Sequence, residues 1–132
     1  MSCDPPDPPY TLTAKRVYVA GHTGLLGSAL CRHLKARGDC TVLTAHRTEL
    51  DLRDPAGVRN WMAASRPDAV ILAAARVGGI LANRDYPADF IYDNLMIAAN
   101  VIHAAHEAGV DKLLFPGSSC IYPKHADQPV QE

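Results

Sequence analysis

Three glycines at regular intervals form the stretch of this sequence whose residue types and spacing are most suited to chemistry. Gly21, Gly24 and Gly27 follow a short apolar run at residues 17–20 and open a helical pattern of apolar residues. Glycine lets the backbone turn sharply off a strand and approach a pyrophosphate, and the helix N-terminus supplies N–H groups and a positive dipole end. Glycine triplets also occur in plain turns, but the strand before and the helix after favour dinucleotide binding. The residues expected to bind the cofactor here are Gly21, His22, Thr23, Gly24, Leu25, Leu26 and Gly27.

Further binding residues are expected where later strands end, because ligands of open α/β sheets bind at the carboxyl edge. Arg47 follows a short strand predicted at residues 41–44. A guanidinium there can bind the 2′-phosphate of NADP as a fork, whereas the carboxylate usual in NAD enzymes would repel it. A solvated loop arginine is the alternative. Space for a cofactor is expected beside three short side chains, Ala73, Ala74 and Ala75.

A loop at residues 76–87 follows the most apolar strand of the chain. Long loops at the carboxyl end of a central strand commonly carry ligand-binding residues. Substrate contacts are therefore expected from Val77, Gly78, Gly79 and Asn83.

Alternating strands and helices position these residues. Asp54 followed by Pro55 is typical of a helix start, and Gly38 and Gly109 are typical helix C-caps. The predicted fold class is α/β, a Rossmann-type doubly wound parallel sheet with strand order 3-2-1-4-5. Apolar runs predict its strands at residues 16–20, 41–44, 49–51, 68–75 and 112–115.

The longest predicted helix spans residues 88–108 and carries two apolar stripes. The first stripe contains Ile91, Leu95, Ala98, Ile102 and Ala105, and the second contains Phe90, Ile97, Val101, Ala104 and Ala108. We expect one stripe to face the sheet. The residues of the second stripe expected to pack on a partner subunit or a further helix are Phe90, Ile97 and Val101.

Composition indicates an ordinary globular chain. The 132 residues carry a formal net charge of −1 and are 48% hydrophobic, which argues against nucleic-acid and membrane partners. The four cysteines contain no C-x-x-C pair, so neither zinc nor a disulfide framework is indicated, and the cytoplasm is the expected location. Residues 1–14, which are rich in proline, are predicted to be a disordered leader before a dinucleotide-binding domain at residues 15–132.

Four segments together resemble the GDP-L-fucose synthases, a family of extended short-chain dehydrogenase/reductases. The G-x-x-G-x-x-G spacing is similar to that of extended reductases in general. The segments that carry the resemblance begin at Ala20 (AGH), Ala74 (AARVGGI), Tyr86 (YPADFIY) and Gly117 (GSSCIYP). The resemblance covers residues 16–132 and implies an incomplete Rossmann-type domain, truncated before the substrate domain. It also implies an NADP(H)-dependent epimerase and reductase of a nucleotide sugar, GDP-4-keto-6-deoxymannose, that is a homodimer at full length.

The resemblance also implies roles for single residues. Ser118 matches a serine that hydrogen-bonds the 4-keto oxygen, and Cys120 matches a cysteine that acts as the base in epimerisation at C3 and C5. From the residues alone, a strand-end hydroxyl and a packed small side chain are the alternatives. Arg47 matches an arginine that binds the 2′-phosphate. Asp51, with the adjoining Leu52, matches residues beside the adenine, although an aspartate that merely shapes a turn is the alternative.

Two departures from the family pattern matter. Thr23 stands where some members have a second arginine for the 2′-phosphate. The catalytic Tyr-x-x-x-Lys expected downstream of Ser118 does not occur in residues 1–132, so this chain is not expected to catalyse the reduction alone. The alternatives are another extended reductase of nucleotide sugars, such as a 4-epimerase or dehydratase, and a non-catalytic dinucleotide-binding module.

Overall fold

The computed structural model describes residues 9–118, 121–123, 125–127 and 129. Strands and helices alternate, and four parallel strands form one sheet in the order β2-β1-β3-β4. The elements are β1 (Arg16–Ala20), α1 (Leu25–Arg37), β2 (Thr41–Leu43), α2 (Pro55–Ser65), β3 (Ala69–Leu72), α3 (Ile80–Asp85), α4 (Pro87–Glu107) and β4 (Lys112–Leu114).

The two central strands are buried on both faces. Alternate residues of β1 point to opposite sides: Val17 and Val19 pack with α1, whereas Tyr18 and Ala20 pack with α2 and α4. In register, Tyr18 lies opposite Val70 of β3 and Leu43 of β2. This continuous burial explains why β1 and β3 read as unbroken apolar runs rather than as alternating patterns.

The α/β fold and the relative order of the observed strands agree with the prediction, but the predicted strand ending near Asp51 is wrong. The backbone N–H groups of Glu49 and Leu50 instead donate to the carbonyl of His46, at 2.8 and 2.9 Å. These local bonds close a turn, so the segment cannot pair with β2. Leu50 nevertheless enters the core. Because a buried position requires an apolar residue, the sequence of this segment resembles that of a strand. The chain therefore has four strands in the part that the structure describes, rather than five.

The predicted loop at residues 76–87 is also partly wrong. Ile80–Asp85 forms the short helix α3, and α4 begins at Pro87. Proline fits the first turn of a helix because its missing N–H would have no partner there.

The helix ends agree with the sequence prediction. Gly38 ends α1 in the left-handed conformation, at φ 71°. The carboxylate of Asp54 accepts a hydrogen bond from the N–H of Ala56, which caps α2. A Cβ at Gly57 would lie 2.7 Å from Asp54 Oδ2. Glycine in this first turn therefore leaves room for the capping carboxylate.

The buried face of α4 combines the second stripe with the small residues Ala98 and Ala105 of the first. Val101 and Ala104 of the second stripe are buried against the sheet and α2, and Ile97 packs beside them. The prediction that Ile97 and Val101 pack on a partner is therefore wrong, because both lie in or against the chain's own core. Phe90 is half-buried and lies against Arg76. Three large residues of the first stripe are exposed on α4, namely Ile91 (62%), Leu95 (62%) and Ile102 (45%).

The segment before β1 is ordered where the structure describes it. Leu12 packs against the core on the α1 side, and the N–H of Ala14 donates to the Asp39 carbonyl at 2.7 Å. The hydroxyl of Tyr10 lies 3.4 Å from the Asp68 carbonyl. Residues 9–14 thus contact the domain, residues 1–8 lie outside the described part, and the leader stays a prediction. No described helix is long and apolar enough to cross a membrane.

Candidate functional site

A pocket of about 400 Å³ lies at the carboxyl ends of β1, β2 and β3. The chain leaves β1 toward β2 and later crosses back to β3, so the pocket lies where the direction of the sheet connections reverses. Open α/β sheets bind ligands at this kind of switch point. The predicted residues that line the pocket are Gly21, His22, Thr23, Gly24, Arg47, Asp51, Leu52, Ala73, Ala74, Ala75 and Val77.

The three glycines of the first turn do different work. Gly21 has φ 85°, and a Cβ there would lie 2.7 Å from the Ala74 backbone. A Cβ at Gly27 would lie 2.1 Å from the Gly21 carbonyl oxygen, so this glycine allows α1 to pack against the loop. Gly24 has no such conflict, because its Cβ would meet the same oxygen at 3.4 Å.

Gly24 is the N-cap of α1 and provides no side-chain capping bond. The first N–H groups of a helix have no partner within the helix. An uncapped helix start on the wall of a pocket is suited to an anion such as a pyrophosphate. Leu25 and Leu26 are exposed and Gly27 is buried, and these three predicted residues do not line the pocket.

The turn after β2 contributes an arginine and a histidine to the pocket. Arg47 lines it, as predicted, and the neighbouring His46 lines it as well. The ring of His46 lies 6.3 Å from that of His22 in an edge-to-face arrangement. The N–H of His46 donates to Glu49 Oε2 at 2.9 Å, which fixes the turn that carries Arg47. His46 was not predicted, although its place directly after β2 is a usable signal.

Asp51 makes an ion pair that the sequence did not predict. Its Oδ2 accepts from Arg53 Nη2 at 2.7 Å, and its Oδ1 accepts from Arg53 Nε at 3.0 Å. These hydrogen bonds lower the pKa of Asp51 to about 2. Both carboxylate oxygens are thus already bonded, and an adenine amino group would share them with Arg53.

The loop after β3 is held by α4. Asn94 accepts from the Arg76 N–H at 2.7 Å and donates to the Arg76 carbonyl at 2.9 Å. The Arg76 guanidinium lies 4.7 Å from the centre of the Phe90 ring, an arrangement that favours a cation–π contact. A Cβ at Gly78 would lie 2.8 Å from the same ring. Glycine at this place therefore lets the loop pack closely on α4.

Of the predicted substrate-binding residues, Val77 alone lines the pocket. The amide of Asn83 donates to the carbonyls of Gly78 and Gly79, at 2.9 and 3.1 Å. The observed role of Asn83 is thus to close the loop into α3. Substrate contacts by Gly78, Gly79 and Asn83 stay predictions.

The predicted catalytic pair follows β4. Ser118 is exposed, its carbonyl accepts from the Ile121 N–H at 3.1 Å, and it does not line the pocket. Cys120 lies outside the described residues, so the structure does not test its role. Within the described ranges, no cluster of histidine, cysteine or carboxylate side chains could hold a metal ion.

A family model of NAD dependent epimerases/dehydratases matches residues 17–132. The chain belongs to this family. Among its members, the chain is 55% identical over 121 residues to the GDP-L-fucose synthase of Escherichia coli K12. This alignment covers 92% of the chain and 38% of that relative.

Solved structures of reductases share the fold. The GDP-D-glycero-L-gluco-heptose synthase of Campylobacter jejuni, determined in the presence of NADPH, is 39% identical with a TM-score of 0.86 and covers 92% of this chain and 36% of its own. The GDP-L-fucose synthetase of Naegleria fowleri bound to NADP is 28% identical with a TM-score of 0.81. This match covers 95% of the present chain and 37% of the Naegleria chain. These matches confirm the predicted resemblance and the Rossmann-like fold class. The chain spans less than two fifths of the length of these relatives.

Proposed function

We propose that this chain is the cofactor-binding part of an NADPH-dependent enzyme that converts GDP-4-keto-6-deoxymannose into GDP-L-fucose. The observation that carries the proposal is the switch-point pocket, in which the glycine turn, Arg47 and residues 73–75 come together. The 55% identity to a GDP-L-fucose synthase supports the choice of substrate.

The pocket has the features that NADP(H) requires. The turn at Gly21 leaves space beside Ala74 that a Cβ would fill, and the uncapped start of α1 suits the pyrophosphate. Arg47 offers a forked guanidinium for the 2′-phosphate. Since Thr23 lines the same pocket in place of a second arginine, Arg47 carries most of the preference for NADP(H) over NAD(H). NADPH, when bound, supplies the hydride for reduction at C4.

The protein's own residues handle protons and the developing charge. The Cys120 thiolate removes the proton bonded to C3 or C5, which the neighbouring ketone acidifies, and a proton returned to the opposite face completes each epimerisation. The Ser118 hydroxyl donates a hydrogen bond to the 4-keto oxygen and stabilises its negative charge in the enolate and during reduction.

We also propose that the complete enzyme is a cytoplasmic homodimer. The exposed apolar residues Ile91, Leu95 and Ile102 lie along one side of α4, and such a surface favours association with a second copy. Among the described residues, Cys31 and Cys40 are free thiols, which fits a reducing compartment.

Solvent exchange tests the catalytic part of this proposal. In an enzyme of the relatives' full length that carries this domain, Cys120→Ser should suppress deuterium incorporation at C3 and C5 of the keto sugar. It should still permit NADPH oxidation on a substrate that is already epimerised. Ser118→Ala should slow the reduction by about 100- to 1,000-fold if the hydroxyl acts like an oxyanion-hole donor.

The controls separate the rival activities. A panel of nucleotide sugars should show turnover of GDP-4-keto-6-deoxymannose in preference to the substrates of 4-epimerases and dehydratases. Deuterium exchange at the native rate in Cys120→Ser would overturn the role of the cysteine. Turnover of another nucleotide sugar in its place would overturn the choice of substrate.

A further inference from the structure

Asp93 is the only charged side chain buried in the described part of the molecule, with 7% of the residue exposed. It lies on α4, and its two carboxylate oxygens accept from two different arginines. Arg53 Nη1 donates to Oδ1 at 3.3 Å, and Arg76 Nη1 donates to Oδ2 at 2.9 Å. A buried carboxylate is costly unless it is paired and hydrogen-bonded. The two arginines meet this need and lower the pKa of Asp93.

The two arginines come from opposite walls of the pocket. Residues 50–53, which follow β2 and include Arg53, are called here the adenine wall. Residues 73–77, which follow β3 and include Arg76, are called here the loop wall. Both segments line the pocket. Because β2 and β3 flank β1 on opposite sides, a dinucleotide with its pyrophosphate at the glycine turn extends its adenine half toward β2. Its nicotinamide half extends the other way, along the loop wall.

Helix α4 holds each wall separately and joins them at one residue. Asn100 Nδ2 donates to the Leu52 carbonyl on the adenine wall at 3.0 Å. Asn94 brackets the Arg76 backbone on the loop wall. Asp93, by contrast, bonds to side chains from both walls. The charges of Asp51, Arg53, Asp93 and Arg76 alternate in sign along this row.

We propose that Asp93 is a positioning residue that sets the distance between the adenine wall and the loop wall, so that one dinucleotide can contact both. This inference rests on the proposed NADP(H) site. The residue acts through Arg53 and Arg76, because its own carboxylate is buried beneath them. Its loss should affect a ligand that spans the two walls, and not a ligand held on the adenine side alone.

Two ligands distinguish positioning from a general structural role. NADPH spans both walls, whereas 2′,5′-ADP carries only the adenine, ribose and phosphate part. Asp93→Asn keeps the size of the side chain, but places an amide donor against guanidinium groups that can only donate. We expect the NADPH Kd to rise about tenfold and the 2′,5′-ADP Kd to stay within about twofold. Asp89→Asn is the matched control: Asp89 is exposed, lies 4.0 Å from Arg76, and should change neither Kd.

The outcomes are distinct. Equal losses for both ligands in Asp93→Asn, or no loss for either, would overturn the positioning role. If thermal unfolding shows that Asp93→Asn does not fold, Arg76→Gln removes the loop-wall contact of Asp93, together with the Arg76–Phe90 contact, and keeps the Arg53 contact. It should produce the same selective loss of NADPH. Absence of saturable NADPH binding by the wild-type chain would instead overturn the proposed function, and the positioning role with it.

Discussion

At the scale of single residues, the three glycines divide the work of the first turn. Gly21 and Gly27 are required by the protein's own packing, since a Cβ at either would meet backbone atoms within 3.0 Å. Gly24 has φ −73°, and an added Cβ would lie 3.4 Å from the nearest backbone atom, the carbonyl oxygen of Gly21. The fold therefore does not require glycine at this position. We therefore expect its small size to matter for an incoming ligand rather than for the fold.

This division predicts different results for two substitutions. Gly27→Ala should destabilise the chain by about 1–3 kcal/mol, as overpacking of a close contact does. Gly24→Val should cost at most about 1 kcal/mol, near the effect of a lost N-cap preference, but should abolish NADPH binding. Urea denaturation and calorimetric titration measure the two effects. A folded Gly24→Val variant that binds NADPH as tightly as the wild type would refute the assignment of this loop to the pyrophosphate.

Local sequence patterns pointed to residues that line the pocket, and their binding roles stay predictions. The glycine spacing and the place of Arg47 after a strand led directly to pocket residues. Asp93 and its contact with Arg53 were missed because the two residues are 40 positions apart, and nothing in the local sequence specifies such a pair. The same limit applies to Asn94, which reaches the backbone of Arg76 across 18 positions.

At the scale of elements, the start of α2 shows how a cap and a glycine depend on each other. The Asp54 carboxylate bonds to the Ala56 N–H at 3.1 Å, and its other oxygen occupies the space where a side chain at Gly57 would lie. Alanine normally stabilises a helix interior by about 1 kcal/mol relative to glycine. Here that gain is opposed, because the added methyl would displace the cap.

A double-mutant cycle measures this dependence. Asp54→Ala alone should cost about 1 kcal/mol. Gly57→Ala should stabilise by about 1 kcal/mol in the Asp54→Ala background, but should give little or no gain in the wild type. The free energies of unfolding come from urea titrations. Equal gains from Gly57→Ala in both backgrounds would show that the cap and the glycine are independent.

Element prediction failed where tertiary burial imitated a local pattern. The alternating apolar residues Leu50 and Leu52 predict a strand. In the structure both side chains contact the core, but the backbone there forms turns. On α4, both apolar stripes are suitable for burial, and periodicity alone cannot say which one faces the sheet. In the structure the buried face runs between them, since Val101 and Ala104 of the second stripe and Ala105 of the first are all in the core.

At the scale of the whole molecule, the chain leaves an apolar surface uncovered on α4. Ile91, Leu95 and Ile102 are each between 45% and 62% exposed, on a helix whose other side is packed against α2 and β3. This surface predicts self-association. Leu95→Glu should convert a dimeric wild-type chain into a monomer in sedimentation experiments, because a charge would be buried at the contact.

A second exposed site controls for charge. Ile80→Glu alters a residue that is 89% exposed on α3 and is not one of the three α4 residues, and it should leave the dimer intact. Dissociation by both substitutions would mean that net charge, rather than the α4 surface, governs association. A wild-type chain that is monomeric at its highest attainable concentration would contradict the prediction.

The pocket as an NADP(H) site is the central claim, and calorimetric titration with NADPH and NADH tests it most directly. We expect the wild-type chain to bind NADPH more tightly than NADH by about tenfold to a hundredfold, the effect of a charge-assisted contact of about 1.5–3 kcal/mol. Arg47→Ala should remove this difference by weakening NADPH alone. Equal affinity of the wild type for the two cofactors, or equal losses for both in Arg47→Ala, would contradict the account.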